Sequence, residues 1–183
     1  MRRIVGLIGT GLFVATFLSM APAALALQVG DLTYTSNGSS ITITDCSTSA
    51  TNVVVPATID SLPVTSIGDY AFRDCTSLAN ISIPDSVTSM GDYVFSGCTS
   101  LANVQIGNRV TSVRTGAFSG CASLTSVVIP ASVTSIGNSA FLGCTSLARL
   151  YFEGVKPSLP ISGFDGFGNA TVYYLPGTSG WRP

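Results

Sequence analysis

"VTSIGDYAFRDCTSLANISIPDS" occupies residues 64–86. Residues 87–109 read VTSMGDYVFSGCTSLANVQIGNR, residues 110–132 read VTSVRTGAFSGCASLTSVVIPAS, and residues 133–155 read VTSIGNSAFLGCTSLARLYFEGV. The copies begin at Val64, Val87, Val110 and Val133, a constant 23-residue period. A fixed period of this size marks an architecture in which one supersecondary unit is stacked many times. A single unit cannot bury its own apolar side, and stacking buries Val, Ile, Phe, Cys and Leu as continuous ladders.

Three parts are legible inside each repeat. Leu101, Val104 and Ile106 outline a short strand, with Val104 and Ile106 on one face. Pro84, Gly107 and Pro130 close that strand in successive copies. The Val-Thr-Ser-Ile piece is a second extended segment. Asp69, Asp92, Thr115 and Asn138 then share one position, and all four are good helix N-caps. A short helical turn is therefore expected over the Ala-Phe pair. The resulting expectation is an α/β repeat solenoid, with a parallel sheet on one face and short helical turns opposite.

The period extends beyond the clear copies. One period after Phe141 stands Phe164, and one period after Leu150 and Phe152 stand Tyr173 and Leu175. Residues 156–183 thus read as a degenerate fifth coil and C-terminal cap. Val53-Val54-Val55-Pro56 mirrors Ile81-Ser82-Ile83-Pro84 with five extra residues before Val64, so residues 53–63 form a degenerate first coil with a longer loop. Apolar and polar residues alternate in "LTYTSNGSSITIT" around Asn37-Gly38, which makes residues 27–52 a β-hairpin cap.

Residues 1–26 read as a secretory signal. Arg2 and Arg3 supply the positive end, an apolar run follows from Ile4, and Ala24-Leu25-Ala26 is an A-x-A cleavage site before Leu27. No cysteine follows the apolar run, which argues against a lipoprotein anchor. No later stretch is long and apolar enough to span a membrane. Without Arg2 and Arg3 the chain carries six basic against nine acidic residues. Charged residues make up 9% of the sequence, which argues against a nucleic-acid partner, since that needs a basic stripe. There is no histidine, so Ser-His-Asp and Cys-His catalysis and His-ligated metals are excluded. With Lys156 as the one lysine and Glu153 as the one glutamate, little remains from which to build an enzyme site.

The pattern VTSIGxxAFxxCTSLxxIxIP closely resembles the BspA-like class of bacterial leucine-rich repeats. The likeness runs from about Val53 to Thr178, and "ATVYYLPGTSGW" at residues 170–181 looks like the closing segment of such arrays. The resemblance implies a curved solenoid, export to the cell surface or medium, and an adhesive or protein-binding role. It carries no catalytic residue and no cofactor.

Cys75, Cys98, Cys121 and Cys144 recur in phase, each following a phenylalanine at the same short spacing. Buried packing accounts for them, because free cysteine behaves as a small hydrophobe and Phe167 takes the same slot in the fifth coil. A metal needs thiolates converging on one ion, whereas a straight ladder points them in parallel over roughly 14 Å. Disulfides between neighbours are the stronger rival in an exported chain. Parallel Cβ atoms about 4.8 Å apart exceed the usual disulfide separation of about 3.5–4.5 Å. Redox catalysis would need an exposed thiol of low pKa. Cys46 lies off this phase, in the capping region. Asp69 and Asp92 could suggest an acid/base pair or a calcium site, but Thr115 and Asn138 in the same slot favour capping.

Strand alternation sets the outward rows of the sheet. One row is expected to run Asn80, Asn103, Ser126, Arg149, Val172, and the next Ser82, Gln105, Val128, Tyr151, Tyr174. Early members are small and polar. Later strands bring Arg149, Tyr151, Glu153 and Tyr174 together, and Tyr and Arg are enriched at binding hot spots. A candidate ligand face therefore comprises Gln105, Val128, Arg149, Tyr151, Glu153 and Tyr174. The expected function is a secreted or cell-surface interaction module for a protein or glycan. The competing expectation is a passive, self-associating surface or matrix element without a discrete ligand.

Overall fold

The computed structural model describes residues 27–159 and 170–181; the N-terminal signal expected from the sequence, and Phe164 and Phe167, lie outside these. The chain opens with β1 (Leu27–Val29), β2 (Leu32–Ser36) and β3 (Ile41–Cys46) in antiparallel order. Asn37 shapes the β2–β3 turn, its Oδ1 accepting from the amides of Ser39 at 2.9 Å and Ser40 at 2.8 Å. Gly38 supplies the left-handed φ of 86° that this turn needs. β1 adds a third strand at the edge of the hairpin.

β4 (Asn52–Val54) begins the repeats and is followed by β5 (Thr58–Ile59) and β6 (Leu62–Ile67). The extra residues of the first coil form a tight β5–β6 hairpin, with Asp60 and Ser61 at φ 49° and 65°. The buried Tyr34 hydroxyl donates to Asp60 Oδ2 at 3.1 Å and so pins this turn to the opening strands. β3 then pairs in parallel with β6, Ile41 opposite Val64 and Ile43 opposite Ile67, which hands the opening strands over to the stack.

Two rows of parallel strands run along the stack. One row contains β4, β7 (Asn80–Ser82) and β9 (Asn103–Gln105), then β11 (Ser126–Ile129), β13 (Arg149–Phe152) and β14 (Thr171–Tyr174). The other contains β6 and β8 (Ser89–Met90), then β10 (Ser112–Val113) and β12 (Ser135–Ile136). Between them lies an apolar core. Phe72, Phe95, Phe118 and Phe141 are fully enclosed, and their rings stack at 5.2, 5.3 and 5.3 Å. Burying each such side chain contributes roughly 1.5–3 kcal/mol, and offset ring pairs add about 0.5–1.5 kcal/mol each.

Both rows lapse at the same level, between β9 and β11 and between β8 and β10. Arg114 explains the second lapse. It stands in the slot that Gly68, Gly91 and Gly137 fill in other coils. A Cβ at Gly91 would collide with the Asp69 nitrogen, and one at Gly137 would lie 2.5 Å from the Thr115 nitrogen. The Cβ of Arg114 therefore holds its coil off the preceding one. The inter-coil bonds record the gap: Thr88 to Thr65 and Thr134 to Thr111 span 2.9 Å, but Thr111 to Thr88 spans 3.3 Å.

The expected helical turns do not form. No helix occurs among the described residues, and the fold is a β-solenoid rather than an α/β one. Two residues per coil sit in the left-handed region. Tyr70, Tyr93, Gly116 and Ser139 have φ of 61°, 55°, 61° and 53°; further along each turn, Asp74, Gly97, Gly120 and Gly143 have 57°, 78°, 77° and 77°. A right-handed helix cannot pass through either position. Alternate amides also leave the turn for the next coil, as when Tyr70, Phe72 and Asp74 donate to the carbonyls of Asp92, Val94 and Ser96. Asp69 and Asp92 do cap backbone amides, but across coils: their Oδ1 atoms accept from Asp92 N at 2.7 Å and Thr115 N at 3.2 Å.

A second correction concerns the last strand. Arg149 pairs with Thr171, Leu150 with Val172, Tyr151 with Tyr173 and Phe152 with Tyr174, one position short of the repeat period. A slip of one residue exchanges the two faces of a strand. Val172 therefore packs against the core, and Tyr173 rather than Tyr174 stands beside Tyr151.

Candidate functional site

The outward face of the β4–β7–β9 and β11–β13–β14 row presents two lines of side chains. The first is Asn52, Asn80, Asn103, Ser126, Arg149 and Thr171. The second is Val54, Ser82, Gln105, Val128, Tyr151 and Tyr173. The N-terminal half of this face bonds its polar side chains to one another, while Val54 stands 76% exposed among them. Asn80 Nδ2 donates to Asn52 Oδ1 at 2.5 Å, Asn103 Nδ2 donates to Asn80 Oδ1 at 2.7 Å, and Ser82 Oγ donates to Gln105 Oε1 at 3.1 Å. These strands line a shallow hollow of about 310 Å³. The repeats place Asn80 and Asn103 in one row but do not reveal that Asn52, read from the sequence as part of the cap, begins it. The wider spacing from Asn52 to Asn80 is the signal that finds it.

The C-terminal half is different in kind. Val128, Tyr151 and Tyr173 are 44%, 37% and 43% exposed, and Arg149 and Glu153 stand exposed beside them. The Tyr151 and Tyr173 rings stack with centroids 4.9 Å apart and planes 18° apart. Pairing of β13 with β14 sets this contact, since it brings the two residues opposite each other in register. The structure thus gathers Val128, Arg149, Tyr151 and Glu153 from the expected set and adds Tyr173. Gln105 lies in the amide half. Tyr174 belongs elsewhere: it pairs with Phe152 and stacks on Trp181 at 5.1 Å, while Trp181 also meets Phe152 at 4.8 Å. That trio covers the end of the core.

A second aromatic pair sits on the turns. Tyr70 and Tyr93 stack at 5.5 Å, with Tyr70 48% exposed and Tyr93 half-buried. The Arg73 guanidinium lies 5.5 Å over Tyr70, and Gly116 lies so close to the Tyr93 ring that an added Cβ would overlap it.

Cys75, Cys98, Cys121 and Cys144 are all buried free thiols. Three of them donate to the carbonyl of a phenylalanine one coil back: Cys98 to Phe72 at 2.9 Å, Cys121 to Phe95 at 3.2 Å, and Cys144 to Phe118 at 3.0 Å. Burial pushes the Cys98 and Cys144 thiols up to about 12, and Cys121 is raised for the same reason. Protonated, enclosed and committed as donors, these three are poor nucleophiles and poor metal ligands. Among the described residues, no group of three or more His, Cys, Asp or Glu side chains is placed to hold a metal ion.

Comparison with known proteins accords with this geometry. None of the curated proteins matches the chain. Among solved structures, a leucine-rich cell surface protein from Faecalibacterium prausnitzii A2-165 is 28% identical with a TM-score of 0.73. The match covers 84% of this chain but 39% of that one, so this chain spans well under half of that relative. A leucine-rich repeat protein of T. pallidum is 28% identical with a TM-score of 0.60, covering 82% of each chain. A leucine-rich repeat protein from Bacteroides capillosus is 30% identical with a TM-score of 0.60, covering 70% of this chain and 99% of that one. The model of the BspA-type leucine-rich repeat region matches residues 65–162 in six copies. With that match spanning more than half of its length, the chain belongs to the BspA-type leucine-rich repeat family.

Proposed function

We propose that this protein is an exported interaction module that binds a protein or glycan through the C-terminal half of its outward sheet face. The observation that carries the reading is the exposed Tyr151–Tyr173 stack, flanked by Val128, Arg149 and Glu153 on a face whose other half bonds its asparagine side chains to one another. A tyrosine pair held rigid by the sheet loses little side-chain entropy on binding, and Arg beside Tyr is a typical hot-spot composition. Export is read from Arg2, Arg3, the apolar run and Ala24-Leu25-Ala26. Among the described residues, no helix is long and apolar enough to cross a membrane.

The test is binding of the full chain to arrays of cell-surface glycans and matrix proteins, alongside Tyr151→Ala and Arg149→Ala. A truncated hot spot costs about 2 kcal/mol or more, which is roughly a 30-fold loss of affinity. That loss with an unchanged melting temperature supports the reading. Equal binding by both variants removes this face from it. A second reading has its own support: among the described residues β14 is the last strand of its sheet, and such an edge is a template for another strand. Self-association in sedimentation, with no array ligand, favours that structural role. Amino-terminal sequencing of secreted protein checks cleavage before Leu27.

A further inference from the structure

The five cysteines are not equivalent. Cys98, Cys121 and Cys144 make short thiol–carbonyl bonds of 2.9 to 3.2 Å inside the repeat ladder. Cys46 and Cys75 do not. Cys46 Sγ reaches Ser47 O at 3.6 Å, and Cys75 Sγ lies 3.8 Å from the carbonyl oxygen of Cys46 itself. The two thiols are also near enough to perturb each other's ionisation: Cys75 raises the Cys46 pKa and Cys46 lowers that of Cys75. Both are buried, Cys46 at the end of β3 in the opening strands and Cys75 in the first complete repeat.

The argument against disulfides along the ladder does not reach this pair. In-phase cysteines project parallel Cβ atoms held about 4.8 Å apart by the strand spacing, beyond the usual Cβ separation in a disulfide. Cys46 is out of phase. The first coil and its successor pair Asn52 with Asn80 and Val53 with Ile81, and the same offset from Cys46 falls one position short of Cys75. β3, which ends at Cys46, pairs antiparallel with β2 and parallel with β6, but Cys46 lies outside the repeat phase, so the in-phase Cβ spacing does not apply between it and Cys75.

We propose that Cys46 and Cys75 are joined by a disulfide in the exported protein, fastening the opening hairpin to the first complete repeat. The chemistry is thiol–disulfide exchange with an external disulfide oxidant. The Cys75 thiolate attacks one sulfur of the oxidant, whose S–S bond breaks to release one thiol. The Cys46 thiolate then attacks the Cys75 sulfur of the mixed disulfide and releases the second thiol. Two protein thiols are oxidised, one external disulfide is reduced to two thiols, and the two protons leave on those thiols. Because the docked pair is enclosed, the oxidant acts while the hairpin is still undocked.

The test is peptide mapping of the full chain, refolded from the reduced, unfolded state in a buffer of reduced and oxidised glutathione, alkylated and digested without reductant. The expected result is one cross-linked peptide joining Cys46 to Cys75, with Cys98, Cys121 and Cys144 alkylated. Oxidised protein should unfold at higher urea than reduced protein, and Cys46→Ser should abolish that difference. Recovery of Cys46 and Cys75 as alkylated thiols, in a buffer that oxidises a control dithiol, overturns the proposal. So does a bridge from Cys46 or Cys75 to any of the other three. The mapping uses the unaltered chain, so the conclusion stands whether or not the serine variant folds.

Discussion

Phe118 is where the stacking argument is most exposed to test. It is fully buried, and its ring stacks on Phe95 and Phe141 at 5.3 Å each, with interplanar angles of 16° and 14°. Phe118→Ala removes one large buried side chain and both ring contacts. Core Phe→Ala changes cost about 3–5 kcal/mol, and a site with aromatic partners on two sides belongs near the upper end. Phe72, the first ring of the ladder among the described residues, has one such partner, Phe95. Phe72→Ala is therefore cheaper by about 1 kcal/mol, the worth of one ring pair. Phe118→Leu isolates the effect, since it keeps most of the apolar volume and loses the stacking. A double-mutant cycle of Phe95→Leu with Phe118→Leu should give a coupling of about 0.5–1.5 kcal/mol. The assay is urea unfolding followed by circular dichroism, fitted with nearest-neighbour coupling between coils. Zero coupling, with Phe118→Leu no costlier than Phe72→Leu, would refute the claim that the rings stabilise one another across coils.

Gly97→Ala should destabilise by more than about 1 kcal/mol, because Gly97 has φ 78° and an added Cβ would meet Asp74 Oδ1; Gly38→Ala, with nothing near its Cβ, tests the left-handed φ alone by the same unfolding assay. Alkali should weaken the fold through the ladder thiols. Cys98 and Cys144 titrate near 12 when folded against 9.0 ordinarily, so between those values the unfolded chain has lost protons that the folded one keeps, and stability falls as pH rises. The slope approaches about 1.4 kcal/mol per pH unit for each thiol, melting temperatures at pH 8 and 10 should show it, and Cys98→Ala should make it shallower. Arg114→Gly removes an exposed ion pair to Asp92 at 3.1 Å, worth at most about 1 kcal/mol, and lets the two coils close. Amide exchange at Thr111 should slow in that variant, and unchanged exchange would mean that the Arg114 Cβ is not what spaces the joint.

Much of this protein can be read along the chain. The repeat period, both extended segments of each coil, the Asn37-Gly38 hairpin, the insertion in the first coil and the Phe and Cys ladders all follow from residue types recurring at fixed spacing, which is a local property. Other features depend on the neighbouring coil. Asp69 and Asp92 have the chemistry of helix caps, yet whether they cap a helix or an adjacent coil rests on where the next backbone lies. Tyr70, Tyr93 and Ser139 give no hint of left-handed backbone, as glycine would; inter-coil hydrogen bonds favour that conformation over its local cost. The shortened step into β14 has the same origin. Counting by whole periods places Tyr174 beside Tyr151, while pairing and the Trp181 stack place Tyr173 there. The approach of Cys46 to Cys75 joins two elements with different periods, and no single repeat contains it. Composition and period determined the solenoid and what fills it. Contacts between coils, whose partners are distant in the chain, decided its backbone and the chemistry of its outward face.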